Sequence, residues 1–562
     1  PGSVKPLGDW ALAAGVNRIV FHRYQHQASL GLEPGMTMGP YGVHWERTQT
    51  WWDMVPAFHA YLARSQFLLR QGLPVADVCY LVAEGAPHVF RAPASALRGD
   101  PPDRLGYSFD ACAPETLLEK ASVKDGRIAF PDGMTYRVLV LPERETMTPA
   151  LLRKVRDLAA AGATVIGPPP RKSPGLSGYP ACDAEVKALA DEAWAGLDGD
   201  RATERAFGRG RVIWVRGGTG AIASPPAPNR PEKGAAPTAG AVWNVGERPI
   251  NEPEQYGDFG IVAGVLRKMS VADDFSSEVP LRYIHRRDGD VDIYFLANPL
   301  NRELETPATF RVENKSPELW DPVTGEGRHL ARYSRAGGLM TVSLRFEPYE
   351  SFFIVFRERA EAPRTGVPPA ANFPMLGDAT LLTGPWEVSF DPKRGGPERI
   401  TFDTLVDWSL RSEPGIKYYS GKATYRKTFD LPAVRKGDRL WLDLGAVDVL
   451  ARVRLNGADL GVVWCDPWRV DISRDAKPAG NALEIEVANL WPNRLIGDER
   501  EPPDAEYANG GNLVRWPAWI LNRTPRPSPG RRAFATWRHF TKDSPLLPSG
   551  LLGPVTLRAA RD

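Results

Sequence analysis

The chain has 562 residues, a formal net charge of +2, 43% hydrophobic and 25% charged residues, the proportions of a folded protein of about three to five domains. The near-neutral balance, with no run of Lys/Arg, speaks against nucleic acid or an anionic membrane as a partner. No apolar run nears the roughly 18 residues of a membrane span.

Tryptophan is frequent, at 17. A flat apolar ring suits the C–H face of a pyranose, although any single tryptophan is more often core. The four cysteines, Cys79, Cys112, Cys182 and Cys465, form no CxxC pair, Cys/His cluster or dense disulfide pattern, and so are silent about compartment. The sequence starts at Pro1 and shows no signal peptide, an absence that means little where the first residue is not Met.

The first segment, 1–75, reads helix, strand, long loop, helix. "KPLGDWALAAG" is an amphipathic helix closed by Gly15. "RIVFH" is expected to be a buried strand, followed from about residue 23 to 50 by a Gly/Pro-rich loop too aromatic to be disordered. "WDMVPAFHAYLARSQFLLRQG" returns as a helix with Met54, Phe58, Tyr61, Leu62, Leu68 and Leu69 near one face. The second segment, 76–272, is α/β. Strands "VADVCYLVA" and "YRVLVLP" precede a helix with Thr148 as N-cap, Pro149 at N1 and Gly162 at its end, then strand "ATVIG". This βαβ unit implies a parallel sheet. It contains no GxGxxG and no P-loop, so no nucleotide site is read there. Residues 222–242 are a Pro/Ala/Gly-rich insertion or linker. The third segment, 273–360, alternates like a β-sandwich through "VDIYFLANPL", "ATFRVE", "GLMTVSLRF" and "SFFIVFR". After a Pro-rich linker, the fourth (361–562) is a second sandwich. "ARVRLNG" and "LEIEV" have period two, and Asn456-Gly457 marks a hairpin turn.

Chemistry is densest between Val20 and Trp52, which holds three of the eight histidines and six aromatic residues. His22 ends a strand expected to be parallel, and Tyr24 and His26 follow it. In a (β/α)8 barrel such strand ends and the loops after them build the active site. His22, Tyr24, His26, His44, Trp45, Arg47 and Trp51 are the candidate substrate-binding residues. Glu46 is the candidate catalytic carboxyl, with Glu33 the loop's other glutamate, although a glutamate beside Arg47 is also a common structural ion pair. No metal ligands are assigned, because the histidine spacing starts on a strand and lacks a helical HExxH. No GxSxG elbow follows a strand. In the last segment "VVWCDPWRV", "NLWPNRLIGD" and "VRWPAWILNR" could line a sugar-binding surface or pack between domains, with Asn493, Arg494 and Asp498 the polar residues worth testing.

At these motifs the chain resembles a known family. "GVNRIVFHRYQHQ", "PGMTMGPYGVHWERTQTWW" and "LLRQGLPVADVCYL" are similar to glycoside hydrolase family 106, the bacterial α-L-rhamnosidases. "YRVLVLPERETMTP", "YIHRRDGDVDIYFLAN" and "DPVTGE" continue the resemblance, and "NLWPNRLIGD" and "SGLLGPV" fit it. "LDLGAVDVLARVRLNGADLGVVW" resembles the galactose-binding-like jelly roll of family 2 hydrolases. The resemblance implies a multidomain α/β plus all-β protein: the end of an incomplete (β/α)8 catalytic barrel (1–75), a flavodoxin-like α/β domain (76–272), a β-sandwich (273–360) and a galactose-binding-like jelly roll (361–562). It implies inverting release of terminal α-L-rhamnose from glycosides or polysaccharides by two glutamates, with a calcium ion, in a periplasmic or secreted protein. A full barrel takes about 250 residues, so the family's acid and base are expected upstream of Pro1, and the isolated chain is expected to be inactive. The alternatives are a non-catalytic carbohydrate-binding protein and a β-galactosidase-like hydrolase; the 20–52 motif speaks against the latter.

Overall fold

The structure is a computed structural model, and it describes residues 1–561 apart from 30, 42–43, 86–88, 217–254, 359–370, 433–434 and 436–437. The Pro-rich insertion at 222–242 and most of the expected linker after 360 lie outside the described residues.

Helix α1 (Lys5–Ala13) has proline in its first turn and stops where Gly15 takes φ +114°, a left-handed C′ position. Its inner face buries charge as well as Leu12. The Lys5 ammonium lies 2.8 Å from Asp9, one turn on, and donates to Ser351 Oγ at 2.9 Å, while Tyr61 donates to Asp9. The second helix splits in two: a 3-10 turn over Trp52–Met54, then α2 (Pro56–Leu68). Pro56 lacks an N–H and has φ preset, so it opens the α-helix more readily than it continues one. All six apolar residues expected on one face are buried.

Those residues pack against two partners at once. Phe58, Tyr61 and Leu62 share a core with Ile293, Phe295 and Phe353 of the third segment and with Leu450 and Trp464 of the fourth. The opening segment is thus a wedge between two β-structures.

The run Arg18–His22, expected as a buried strand, is not one. It has no strand assignment, and Val20 is 83% and Phe21 40% exposed. A β-branched run becomes a strand only where neighbours take up its N–H and C=O groups. Among the described residues none pairs with it; the nearest ladder contact is the isolated parallel bridge Tyr24–Trp45.

The α/β unit has strands β1 (Val78–Leu81), β2 (Phe109–Cys112), β3 (Val138–Val140), β4 (Thr164–Ile166), β5 (Glu204–Phe207) and β6 (Gly210–Ile213). Their order is β5-β6-β4-β3-β1-β2, parallel except for the β5–β6 hairpin. Helix α3 (Pro149–Ala161) is capped as its sequence predicts: Leu151 N–H donates to Thr148 Oγ1, and Gly162 takes φ +126°. Thr148 is itself held, donating through its N–H and hydroxyl to Glu84 at 2.7 and 2.6 Å. Helices α4 (Ala181–Ala193) and α5 (Phe259–Lys268) complete the covering of the sheet, which has apolar cores on both faces.

The third segment is a two-sheet sandwich. Strands β7 (Arg282–Asp288), β8 (Val291–Ala297) and β11 (Ser351–Arg357) pair antiparallel in one sheet; β9 (Leu304–Phe310) and β10 (Leu339–Phe346) pair in the other. Strand β8 is apolar on both sides because both are covered. Tyr294 and Leu296 face the second sheet's core, and Ile293 and Phe295 face the wedge. Inside, both ring nitrogens of His285 meet carboxylates, Nδ1 with Asp274 at 3.0 Å and Nε2 with Asp292 at 2.9 Å. Arg311 ties Asp274 to Asp77 of the α/β unit, and Asp77 pairs in turn with Arg137.

The last unit sets β12 (Trp386–Phe390), β13 (Lys422–Phe429), β15 (Leu450–Leu455), β16 (Ala458–Val463) and β17 (Asn481–Ala488) in one sheet, and β14 (Arg439–Asp443) with β18 (Thr556–Arg561) in another. Ala451, Val453 and Leu455 alternate inward with Leu483, Ile485 and Val487 opposite. Asn456 and Gly457, at φ +54° and +88°, join β15 to β16 as a two-residue hairpin. Among the described residues no helix is long and apolar enough to cross a membrane.

Candidate functional site

The opening loop is docked on the last unit. Pro34–Gly35 pairs parallel with Phe534–Ala535, with Phe534 N–H donating to Glu33 O at 2.7 Å and Thr536 N–H to Gly35 O at 2.9 Å. Thr37 Oγ1 and His539 Nε2 share a hydrogen bond of 2.9 Å, and the His539 ring lies 5.2 Å from that of His44. Gly39, at φ +68°, leaves room for Trp537; a Cβ there would come within 2.9 Å of its ring. Trp491 donates to Thr48 O at 2.9 Å, and Glu33 pairs with Arg394. A loop with little regular structure holds its shape because a distant part of the chain supplies the hydrogen bonds.

Glu46 is 1% exposed. Its carboxyl accepts from Gln27 Nε2 at 3.0 Å and from Gln49 Nε2 at 3.4 Å, and Gln27 also bonds both backbone groups of Met36. Burial pushes this carboxyl up to about 7, against the hydrogen bonds of Gln27 and Gln49 and the charge of Arg23. Arg47, although adjacent in sequence, is exposed and makes no ion pair with it among the described residues.

The other candidates divide by exposure. Trp45 and Trp51 are 4% and 2% exposed and belong to the wedge core. Trp45 stacks on Phe21 at 4.7 Å and donates to His59 Nε2 at 2.9 Å. His44 is half-buried, its Nε2–H reaching Gly39 O at 3.1 Å, and burial lowers its pKa. His22, Tyr24, His26 and Arg47 are exposed, and the Tyr24 ring rests on Trp52 at 5.7 Å. The structure therefore leaves His22, Tyr24, His26 and Arg47 exposed and buries Trp45, Trp51 and Glu46.

Asn493, Arg494 and Asp498, on the short helix α6 (Pro492–Asp498), are buried braces. Asn493 bonds Leu547 and Ser549; Asp498, 3.0 Å from Arg494, accepts the N–H groups of Arg532 and Ala533. They fix the 532–535 segment against which the opening loop lies. A cleft opens beside it, lined by Asp504, Tyr507, Arg526, Trp537 and His539 among others. The sequence reading missed Gln27, His59, Trp537 and His539. Gln27 and His59 could have been suspected from the polar density near them, but Trp537 and His539 lie some 500 positions away, where no local pattern points. Among the described residues there is no group of three or more His, Cys, Asp or Glu that could hold a metal ion.

Comparison with known proteins puts these features in a family context. A family model described as alpha-L-rhamnosidase matches residues 1–224 and 224–335. A second, described as glycosyl hydrolase 2 galactose-binding domain-like, matches residues 412–518, so the mixed α/β chain carries a galactose-binding-like domain. A rhamnosidase structure from Novosphingobium sp. PP1Y is similar with a TM-score of 0.76 and 30% identity, over 99% of this chain and 46% of that one. A curated protein of Formosa agariphila named "Putative beta-glucuronidase" is 26% identical, over 99% of this chain and 61% of its own length. The chain thus spans about half of the one relative and 61% of the other.

Proposed function

The chain belongs to the alpha-L-rhamnosidase family of glycoside hydrolases, and we propose that it serves the hydrolysis of terminal α-L-rhamnosides in glycosides or polysaccharides. The observation that carries this reading is the opening loop. It lies inside the matched region, and it presents Tyr24, His26 and Arg47 outward from a rigid base. An exposed phenol ring offers a sugar its flat face, and imidazole and guanidinium N–H groups offer donors for hydroxyls.

On this reading residues 1–75 belong to the end of a (β/α)8 barrel, and the parallel sheet of the second unit is flavodoxin-like. Its strand order, second-first-third-fourth, supports the latter. Inverting hydrolysis needs two carboxyl groups about 6.5–9.5 Å apart, one protonating the leaving oxygen and the other activating a water on the opposite face of the sugar. Glu46 is enclosed and bonded to Gln27 and Gln49. Its role in the proposal is to position the loop that meets the sugar. A periplasmic or secreted location and a bound calcium ion complete the proposal.

The test is release of L-rhamnose from an aryl α-L-rhamnoside by the full-length protein. Turnover is expected, with Tyr24→Ala raising KM about tenfold through the lost stacking surface. Hydrolysis of an aryl β-glucuronide or β-galactoside instead, or sugar binding without hydrolysis, would overturn the proposal.

A further inference from the structure

We infer that the rim of the opening loop is a subsite for an anionic sugar: Arg23 and Arg47, with His26, read a carboxylate or sulfate on the residue next to the terminal rhamnose. The inference rests on the rhamnoside reading and deepens it.

Three observations carry it. The parallel bridge between Tyr24 and Trp45 sets Arg23–His26 alongside His44–Arg47, and Arg23, His26 and Arg47 are all exposed. Arg23 is near enough to Glu46 for its charge to act on that carboxyl. Second, the cations have no ion-pair partner of their own. Among the described residues neither Arg23 nor Arg47 has a hydrogen bond or ion pair. Of the two glutamates between residues 16 and 52, Glu33 is taken by Arg394 and Glu46 is buried between two glutamines. Elsewhere on the molecule arginines are commonly paired, as Arg526 with Asp504 and Arg531 with Glu499. Third, Tyr24, next to Arg23 in the chain, is 57% exposed, so a ring can stack on it while its charged substituent reaches a guanidinium. A planar guanidinium binds a carboxylate or sulfate through two parallel hydrogen bonds, which a neutral hydroxymethyl cannot accept.

The experiment is calorimetric titration of the protein with four disaccharides: rhamnosyl-glucuronate, its methyl ester, rhamnosyl-glucose and a sulfated rhamnosyl-glucose. We expect one of the anionic probes to bind about tenfold tighter than its neutral counterpart, the winner telling carboxylate from sulfate. The gap should shrink as ionic strength rises, a readout that needs no variant, and Arg47→Gln should narrow it further. Equal affinity for charged and neutral probes would overturn this inference alone. Failure of all four to bind would overturn it together with the rhamnoside reading.

Discussion

Glu46 lies enclosed between Gln27 and Gln49, and burial lifts its carboxyl from 4.5 to about 7. A group whose folded pKa is raised favours the folded state fully below its unfolded value and loses that contribution as pH climbs to the folded value. Wild type is therefore expected to lose stability between about pH 4.5 and 7, by up to about 3 kcal/mol. Glu46→Gln, which cannot ionise, should flatten this part of the curve and melt higher than wild type at pH 8. Chemical denaturation across that range checks it, and a variant with an unchanged slope would place the titration elsewhere. At this scale sequence reading named the stretch but could not sort its side chains by exposure. Trp45 and Trp51 have the same composition signal as Tyr24, yet two are core and one is 57% exposed. Exposure is set by Phe58, His59 and Trp464 packing from other elements.

Local elements were legible wherever local chemistry specifies them. The cap of α3 needs a hydroxyl, a proline and a glycine at fixed spacing, and all three act as read. Thr148→Ala removes the cap and one of the two hydrogen bonds to Glu84, the backbone N–H bond remaining. It should cost about 1–2 kcal/mol, measured as a lower denaturation midpoint with an unchanged slope. Helix α1 stops before Gly15 as read, whereas the helix expected from Trp52 onward breaks at Pro56. The failure was Arg18–His22, where the residues have strand propensity but the described residues supply no neighbouring strand. A helix closes its own hydrogen bonds, whereas a strand borrows a partner's.

Across the whole molecule, the buried chain Arg137–Asp77–Arg311–Asp274–His285–Asp292 joins the α/β unit to the sandwich. The two carboxylates facing its ring raise the pKa of His285 against the effect of burial, and the imidazolium and guanidinium hold Asp274 and Asp292 low. The His285 contribution is complete below about 6.5 and is lost as pH rises through its raised folded value. The aspartate contributions are complete above about 4 and are lost as pH falls. Stability from this network should thus peak in mildly acidic solution. His285→Ala removes the cation shared by two buried carboxylates, leaving Asp274 to Arg311 and Asp292 to Lys315 and Arg287, and should cost about 1–3 kcal/mol, read by calorimetry as a lower transition for the joined units; an unchanged transition would show the network to be dispensable.

The sequence by itself determined the order of α/β and β segments, the caps and turns, the inward faces of the strands, and the family, because these rest on periodicity and short motifs that neighbouring residues satisfy among themselves. Only the tertiary structure decided that the opening segment is a wedge, that the 534–539 strip from the far end of the chain holds the 33–39 loop, and that Glu46 faces inward while Arg47 faces out. The first two depend on partners hundreds of residues away, and the third on a loop whose shape those partners hold; burial, which sets both exposure and ionisation, is created only when such partners meet.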